Sequence, residues 1–340
     1  MGPVMLLPAG LRWRPARHAD ARDVTRLLVA CERFDDGVAE VELSDVVADW
    51  NRPSVDLDTM TAVVFDGSDV VAFAQVTTGR AEAAVLPSHR GRGIGSALLR
   101  FTWHVARRDR RVTVGQTVSD GRADAAPLFV GHGYTRGWTS WILDIDVRDA
   151  PRPRLPAGYQ LRAFVPGDHA RAAFDLIDTA FDEWPDREGH AFDDWAVQTL
   201  AHERFVAGAS PIVVHEGRLV GVAINFDYPT EGWVHQLAVA RAHRNMGLGR
   251  ALLAASFQRH RRRGHTTVGL STDSRTGALG LYEHVGMRVR RSYTRWSKQL
   301  DAGWPLRHLK PTPPTSPATQ RRITHDTEEH AEVTSPPPEA

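Results

Sequence analysis

The chain has 340 residues, which at roughly 100–200 residues per domain implies about two domains. Its 42 Lys and Arg against 41 Asp and Glu leave a formal net charge of +1, so there is no chain-wide basic field to attract nucleic acid or an acidic membrane. A single cysteine, Cys31, excludes an intrachain disulfide and a multi-cysteine zinc site, and fits a reducing compartment.

The opening MGPVMLLPAGLRWRPAR lacks a charged stretch followed by a long apolar run, and no run of ~18 apolar residues occurs anywhere. Neither a signal peptide nor a transmembrane helix is expected, and the reading is a soluble cytoplasmic protein. In chain order, DARDVTRLLVACERF (20–34) predicts a helix and TAVVFDGSDVVAFAQV (61–76) a β-hairpin. VLPSHRGRGIGSALLRFTWHVARRDRR (85–111) reads as a strand end, a Gly-rich turn and an amphipathic helix. APLFVGHGYTRGWTSWILDI (126–145) then reads as a short helix closed by glycine and a final strand. Pro151, Pro153 and Pro156 mark an extended linker over 148–159.

The same series then repeats. A helix (167–184), a hairpin (211–226), a strand–turn–helix (239–263) and a short helix with strand (279–300) follow. Arg90 and Arg244 are 154 positions apart, and Trp141 and Trp296 155 apart. This near-constant offset identifies a tandem duplication, with units over 12–147 and 160–302. Residues 303–340 are rich in Pro, Thr and Glu, bury too little apolar surface to offset ordering entropy, and are expected to be disordered.

The chemistry is concentrated in two turns, Arg90-Gly91-Arg92-Gly93-Ile94-Gly95 and Arg244-Asn245-Met246-Gly247-Leu248-Gly249. Glycines there allow positive φ and close approach of the backbone to a ligand. The first-turn amides of the following helix lack internal partners, and with the arginine they suit a pyrophosphate. An isolated turn of this kind is usually an ordinary strand-to-helix connection; its recurrence in the same context favours a ligand. A dinucleotide fingerprint would have to follow the first strand of a βαβ unit, and a phosphate-binding loop would need G-K-[ST]; neither condition is met.

These segments resemble the GNAT superfamily of N-acetyltransferases. The family's strand–[RQ]-x-x-G-x-[GA]–helix motif matches QLAVARAHRNMGLGRALL, and its L-Y-x-x-x-G-[FM] motif matches ALGLYEHVGMRV (278–289). The resemblance covers residues 12–300, and the pairing of units is similar to that of the mycothiol synthase family. It implies an α/β fold of two tandem GNAT-like domains, each a mixed, splayed sheet flanked by helices. It also implies acetyl-CoA as cosubstrate, with pyrophosphate held by Arg244, Asn245, Met246, Gly247, Leu248, Gly249 and Arg250, and pantetheine by the backbone of Leu237, Ala238 and Val239. Val85, Arg90, Gly91, Gly93 and Gly95 would form the matching cradle of the first unit.

By the same resemblance Tyr282 is the acid that protonates the leaving thiolate. Phe129 stands at its place in the first unit, which is read as degenerate, with RAEAAVLP a plain strand. The family's glutamate base would fall on Trp233. If the strand reaches back far enough, Glu231, Trp233 and His235 share one face, making His235 or Glu231 the candidate base. Trp184, Trp195 and Trp233 are read as aromatic core near an acceptor pocket, with Asp182, Glu183 and Asp193 able to attract a cationic amine. The arginine runs at 107–111 and 259–263 are read as helix ends. No HxxxH or HExxH spacing occurs, so no metal is expected.

The expectation is an acetyl-CoA-dependent N-acetyltransferase acting on a primary amine of a small molecule in the second unit. It would be a monomer or homodimer without nucleic-acid or membrane partners. The alternatives are a catalytically silent CoA-binding or sensing protein and an enzyme like mycothiol synthase.

Overall fold

The structure, a computed structural model, describes residues 5–77, 80–122, 124–182, 189 and 191–300. The first half runs β1 (Leu11–Arg14), α1 (Ala21–Asp36), α2 (Leu43–Trp50), α3 (Leu57–Met60), β2 (Thr61–Asp66), β3 (Asp69–Thr77), β4 (Arg80–Val85), α4 (Ile94–Arg108), β5 (Thr113–Ser119), α5 (Ala125–Gly131) and β6 (Thr135–Asp146). The second half repeats the order. It runs β7 (Tyr159–Ala163), α6 (Pro166–Phe181), α7 (Phe192–Thr199), β8 (Pro211–His215), β9 (Arg218–Asp227), β10 (Gly232–Val239), α8 (Leu248–Arg262), β11 (Thr267–Asp273), α9 (Leu279–His284) and β12 (Arg288–Gln299).

The helices follow from apolar spacing. In α1, Val24, Leu27, Leu28 and Cys31 recur at three- and four-residue intervals and are buried on one face. Ile94, Ala97, Leu98, Phe101 and Val105 do the same in α4, and Leu248, Ala251, Leu252 and Ala255 in α8. Each half has a core on both sides of its strands: α4 covers one side of the first half and α1 with α2 the other. In the second half α8 and α9 cover one side and α6 with α7 the other. The arginine runs lie at the ends of α4 and α8, as expected; there Arg108 pairs with Asp109 and Arg263 with Asp227.

All twelve strands form one mixed sheet in the order β1-β2-β3-β4-β5-β12-β6-β11-β10-β9-β8-β7. Two strands have changed places. β12, the last of the chain, pairs with β5 of the first half over Thr113–Ser119. β6, the last strand of the first half, pairs with β11 of the second over Thr267–Asp273. Each half therefore completes its sheet with the other's final strand, and the two exchanged strands pair at the centre. Two further differences from the sequence reading concern β1 and β7, short edge strands that precede the expected first helix of each half. The linker ends against the fold, with Ala150 and Leu155 packed on the second half's core.

Candidate active site

Both Gly-rich turns adopt the same backbone form. Gly91 (φ 74°) and Gly93 (φ 88°) are left-handed, as are Asn245 (φ 62°) and Gly247 (φ 79°). Asparagine tolerates this region better than other residues with a Cβ, which explains its replacing glycine in the second copy. In both copies the arginine Nε donates to the carbonyl of the strand's last valine, Arg90 to Val85 at 3.2 Å and Arg244 to Val239 at 3.1 Å. The turn is thereby fixed beneath the helix start, leaving the amides of Leu248, Gly249 and Arg250 without intrahelical acceptors. The third glycine of each turn has a packing role: a Cβ at Gly249 would lie 3.4 Å from Leu281, and one at Gly95 3.1 Å from Leu128.

Beyond the turn the parallel pair is short in both copies, and the strands then part: β4 and β5 pair only at Arg80 and Gly115, and β10 and β11 only over Gly232–Val234 and Val268–Leu270. The parting frees the β11-facing backbone of Leu237, Ala238 and Val239, which line a groove of about 1160 Å³ together with Arg244, Asn245, Gly247, Leu248, Gly249, Arg250 and Tyr282. Met246, at the turn's outer edge, is exposed and its sulfur accepts from the Tyr159 hydroxyl at 3.2 Å. The groove fits a CoA-type ligand: a donor-rich turn at one end, open strand backbone along the wall and space for an extended arm. Burial pushes the Tyr282 phenol up to about 12, against the opposing effect of a hydrogen bond with Thr272, so it holds its proton at neutral pH.

In the first half Phe129 occupies the tyrosine's place, buried and stacked on Trp296 with ring centroids 5.6 Å apart. It has no proton to give. The Arg90 guanidinium, expected to meet pyrophosphate, instead grips Asp35 through two bonds of 2.6 and 2.8 Å. Cys31, buried, adds a thiol hydrogen bond to the Val85 carbonyl.

The expected base residues separate. Glu231 precedes β10, and the strand's register shifts between Val234 and Gln236, so the alternation that would align Glu231, Trp233 and His235 is broken at a bulge. Glu231 is held in a two-bond ion pair with Arg290 (2.9 and 2.8 Å), which also binds Glu40, and it lines neither this groove nor the cavity described next. Trp233 lies against the same arginine, and Trp195 is buried with its indole donating to Gln236 at 2.8 Å, both as core residues. Trp184 and Glu183 lie outside the described residues, and Asp182 and Asp193 line neither space.

His235 sits at the bulge, stacked on Phe226 at 4.1 Å, and lines both the groove and a second cavity of about 290 Å³ between the halves. It is exposed to these spaces, but the protein packed around it, with a smaller effect of His202, pushes its imidazole down to about 4, so it is neutral at pH 7. The first half contributes Asp45, Asp49, Trp50, Gln75 and Glu82 to this cavity; the second contributes Gln198, His202, Phe226 and Tyr228. Asp45 accepts from Tyr228 at 3.0 Å, and Asp49 accepts from Gln198 at 3.1 Å and pairs with Arg52 at 2.6 Å.

Glu82 is the residue the sequence reading passed over. Its neighbours Ala81 and Val85 enter the core under α4, whereas Glu82 points to the side of Ala84, towards α1 and α2, and opens into the cavity. Its side chain is exposed to the cavity, and the protein surrounding that space, with the nearby Asp49, raises its carboxyl to about 7. The available signal was a lone acid in an otherwise apolar alternation, RAEAAV. Away from both spaces, Asp227, His260 and His265 come together, with Arg263 holding the carboxylate at 2.5 and 2.8 Å.

Comparison with known proteins agrees with this geometry. Residues 170–287 match the Acetyltransferase (GNAT) family, and residues 58–136 match an Acetyltransferase (GNAT) domain. The mycothiol acetyltransferase of Amycolatopsis mediterranei is 32% identical over 300 residues, covering 78% of this chain and 90% of that protein. That of Pseudarthrobacter chlorophenolicus is 28% identical over 307 residues, covering 83% and 91%. A GCN5-related N-acetyltransferase from Sphaerobacter thermophilus superposes with a TM-score of 0.70 at 28% identity, covering 86% of this chain and 97% of that one. A tandem GNAT protein from the clavulanic acid biosynthesis pathway shares the fold, with a TM-score of 0.68 at 20% identity over 85% of this chain and 98% of its own. Two turns of one geometry, a sheet splayed beside the second and a family match in each half lead to one assignment: the chain belongs to the GNAT acetyltransferase family, as a tandem-domain N-acetyltransferase.

Proposed function

We propose that the protein transfers an acetyl group from acetyl-CoA to the primary amine of a small molecule, with the chemistry in the second half (160–302) and the first half (12–147) supplying part of the acceptor site. One observation carries this reading: two spaces of opposite charge meet at His235. Among the described residues, the groove is lined by Arg80, Arg111, Arg244, Arg250, Arg275 and Arg295 against one carboxylate, Asp273. The cavity between the halves has, among the described residues, Asp45, Asp49 and Glu82 and no lysine or arginine. A polyanionic cosubstrate suits the first and a cationic amine the second.

Acetyl-CoA, when bound, supplies an activated thioester. The amides of Leu248, Gly249 and Arg250 with Arg244 hold the pyrophosphate, and the open edge of Leu237–Val239 aligns the pantetheine arm. The cavity carboxylates draw in the ammonium form of the acceptor. Glu82, whose affinity for a proton matches neutral pH, takes the proton that must leave before the amine attacks. Neutral His235, at the junction, accepts a hydrogen bond from the amine and orients it. Tyr282 returns a proton to the departing thiolate.

A second reading, an acceptor of the mycothiol type, is supported by the name of the relatives and the length over which they match. Its sequence-level obstacle, a tryptophan where a carboxylate base is usual, is removed if Glu82 supplies the carboxylate. The test is release of free thiol from acetyl-CoA with a panel of amines: amino sugars, a mycothiol-type amine, polyamines, amino acids and peptide N-termini. Turnover with at least one small amine is expected. CoA binding by calorimetry without turnover on any of them would support a silent binding protein instead.

A further inference from the structure

The groove extends beyond what the acyl-transfer chemistry needs. The same groove is also lined by Trp138 of β6, Thr117 of β5, Arg80 of β4 and Arg295 of the exchanged β12. The register explains the convergence. Arg295 lies opposite Thr117, Ser297 opposite Gly115, and Arg80 beside Gly115 on its other edge. The space where Gly115 lacks a Cβ is filled by the Arg295 guanidinium, whose Nε and Cζ lie 2.7 and 2.9 Å from the position a Cβ would take.

Among the described residues, the side chains of Arg80 and Arg295 make no hydrogen bond and no ion pair. Arg295 has only the Trp138 ring 5.9 Å away, while Arg275, paired with Asp273 at 2.8 Å, lies over the same ring at 4.1 Å. Arg80 is exposed and Arg295 half-buried, and their like charges repel, so an anion between them would be stabilising. Burial, Arg80 and Arg275 together push the Arg295 guanidinium down to about 10. A planar fork of donors on a ring face suits a phosphate better than any neutral group.

We infer that Arg80 and Arg295, seated by Gly115 on the exchanged strand pair, form a subsite for a phosphate monoester at the far end of the second half's groove. This rests on the acetyl-CoA reading of the groove. Two molecules could bring such a group, the cosubstrate through its 3′-phosphate or a phosphorylated acceptor. Either way, the first half would bind part of a ligand whose reactive end is handled by the second half.

The test is calorimetry on the full chain with CoA, 3′-dephospho-CoA and glucosamine 6-phosphate, for the unchanged protein, Arg295→Met and Arg80→Gln, with thermal melts confirming that each variant is folded. If the cosubstrate's phosphate is the ligand, CoA binds at least about tenfold tighter than 3′-dephospho-CoA, and both substitutions bring that ratio towards one without weakening 3′-dephospho-CoA. If the acceptor carries the phosphate, the CoA ratio stays constant and glucosamine 6-phosphate binding falls about tenfold in both variants. Folded variants that alter neither the ratio nor the sugar phosphate overturn the subsite. Failure of the unchanged protein to bind CoA and 3′-dephospho-CoA alike would overturn the acetyl-CoA reading, and the glucosamine 6-phosphate arm would then decide the subsite by itself.

Discussion

In the proposed reaction Glu82 and Tyr282 divide the proton traffic between the halves, and their environments suit them to opposite tasks. Tyr282, pushed up to about 12, remains protonated across the working range, whereas Glu82, raised to about 7, changes charge within it. The acetyl-transfer rate is expected to rise with pH as Glu82 ionises near 7. Glu82→Gln should remove that limb of the kcat/KM profile and lower the rate above it by about 10²-fold. An unchanged limb would exclude Glu82 as the base. Stability should follow the same group. A carboxyl whose folded-state value is raised favours the folded state while protonated, and that contribution is lost as pH rises from the unfolded value through about 7. Glu82→Gln should therefore raise the melting temperature more at pH 8 than at pH 5, as thermal melts at the two pH values would show.

At the scale of elements, the two Gly-rich turns are a matched pair with different consequences. Gly93 and Gly247 both begin their helices at positive φ with open space around the missing Cβ, so valine at either position costs about 1–2 kcal/mol through backbone strain. Gly247→Val should also weaken CoA binding by an order of magnitude or more, while Gly93→Val should lower the melting temperature with CoA affinity unchanged. Equal losses of CoA affinity would show that both halves bind it. These turns, the hairpins and the amphipathic helices were legible in the sequence because glycine placement and apolar periodicity are local. β1 and β7 were not: they do alternate (LRWR and YQLRA), but over four and five residues, too few for the pattern to stand out. The bulge at His235 was equally hidden: it is an irregularity in the β9–β10 ladder, so the sequence of β10 alone suggested a regular face containing Glu231. Glu82 was missed because its importance comes from α2 and α7 packing around it, which no local pattern records.

For the whole molecule, the exchange of β6 and β12 makes the halves interdependent. Separating them would break the seven-residue ladders β5–β12 and β6–β11 and strip from each half the last strand of its sheet, which lies at the centre of the whole. Unfolding of residues 1–301 is expected as one cooperative transition, with denaturation followed by intrinsic fluorescence and by circular dichroism giving coincident curves. Two resolved transitions would mean that each half is stable without its partner's strand. A duplication was readable from the constant offset between repeated anchors. The exchange was not, because β6 and β12 carry equivalent patterns and either assignment satisfies the sequence. On the proposed reading, that exchange also gives the first half a role: it cannot be lost without breaking the second half's sheet, and it carries the acidic wall of the cavity and Arg80 at the end of the groove.

The division of labour between the halves is tested most directly by the kinetics of Tyr282→Phe, measured with CoA affinity on the same preparation. A fall in kcat of about 10²-fold or more is expected, with CoA bound as tightly as before, since only the proton donor is lost. A kcat within a factor of two of the unchanged protein would contradict this division and move the chemistry away from the second half's tyrosine.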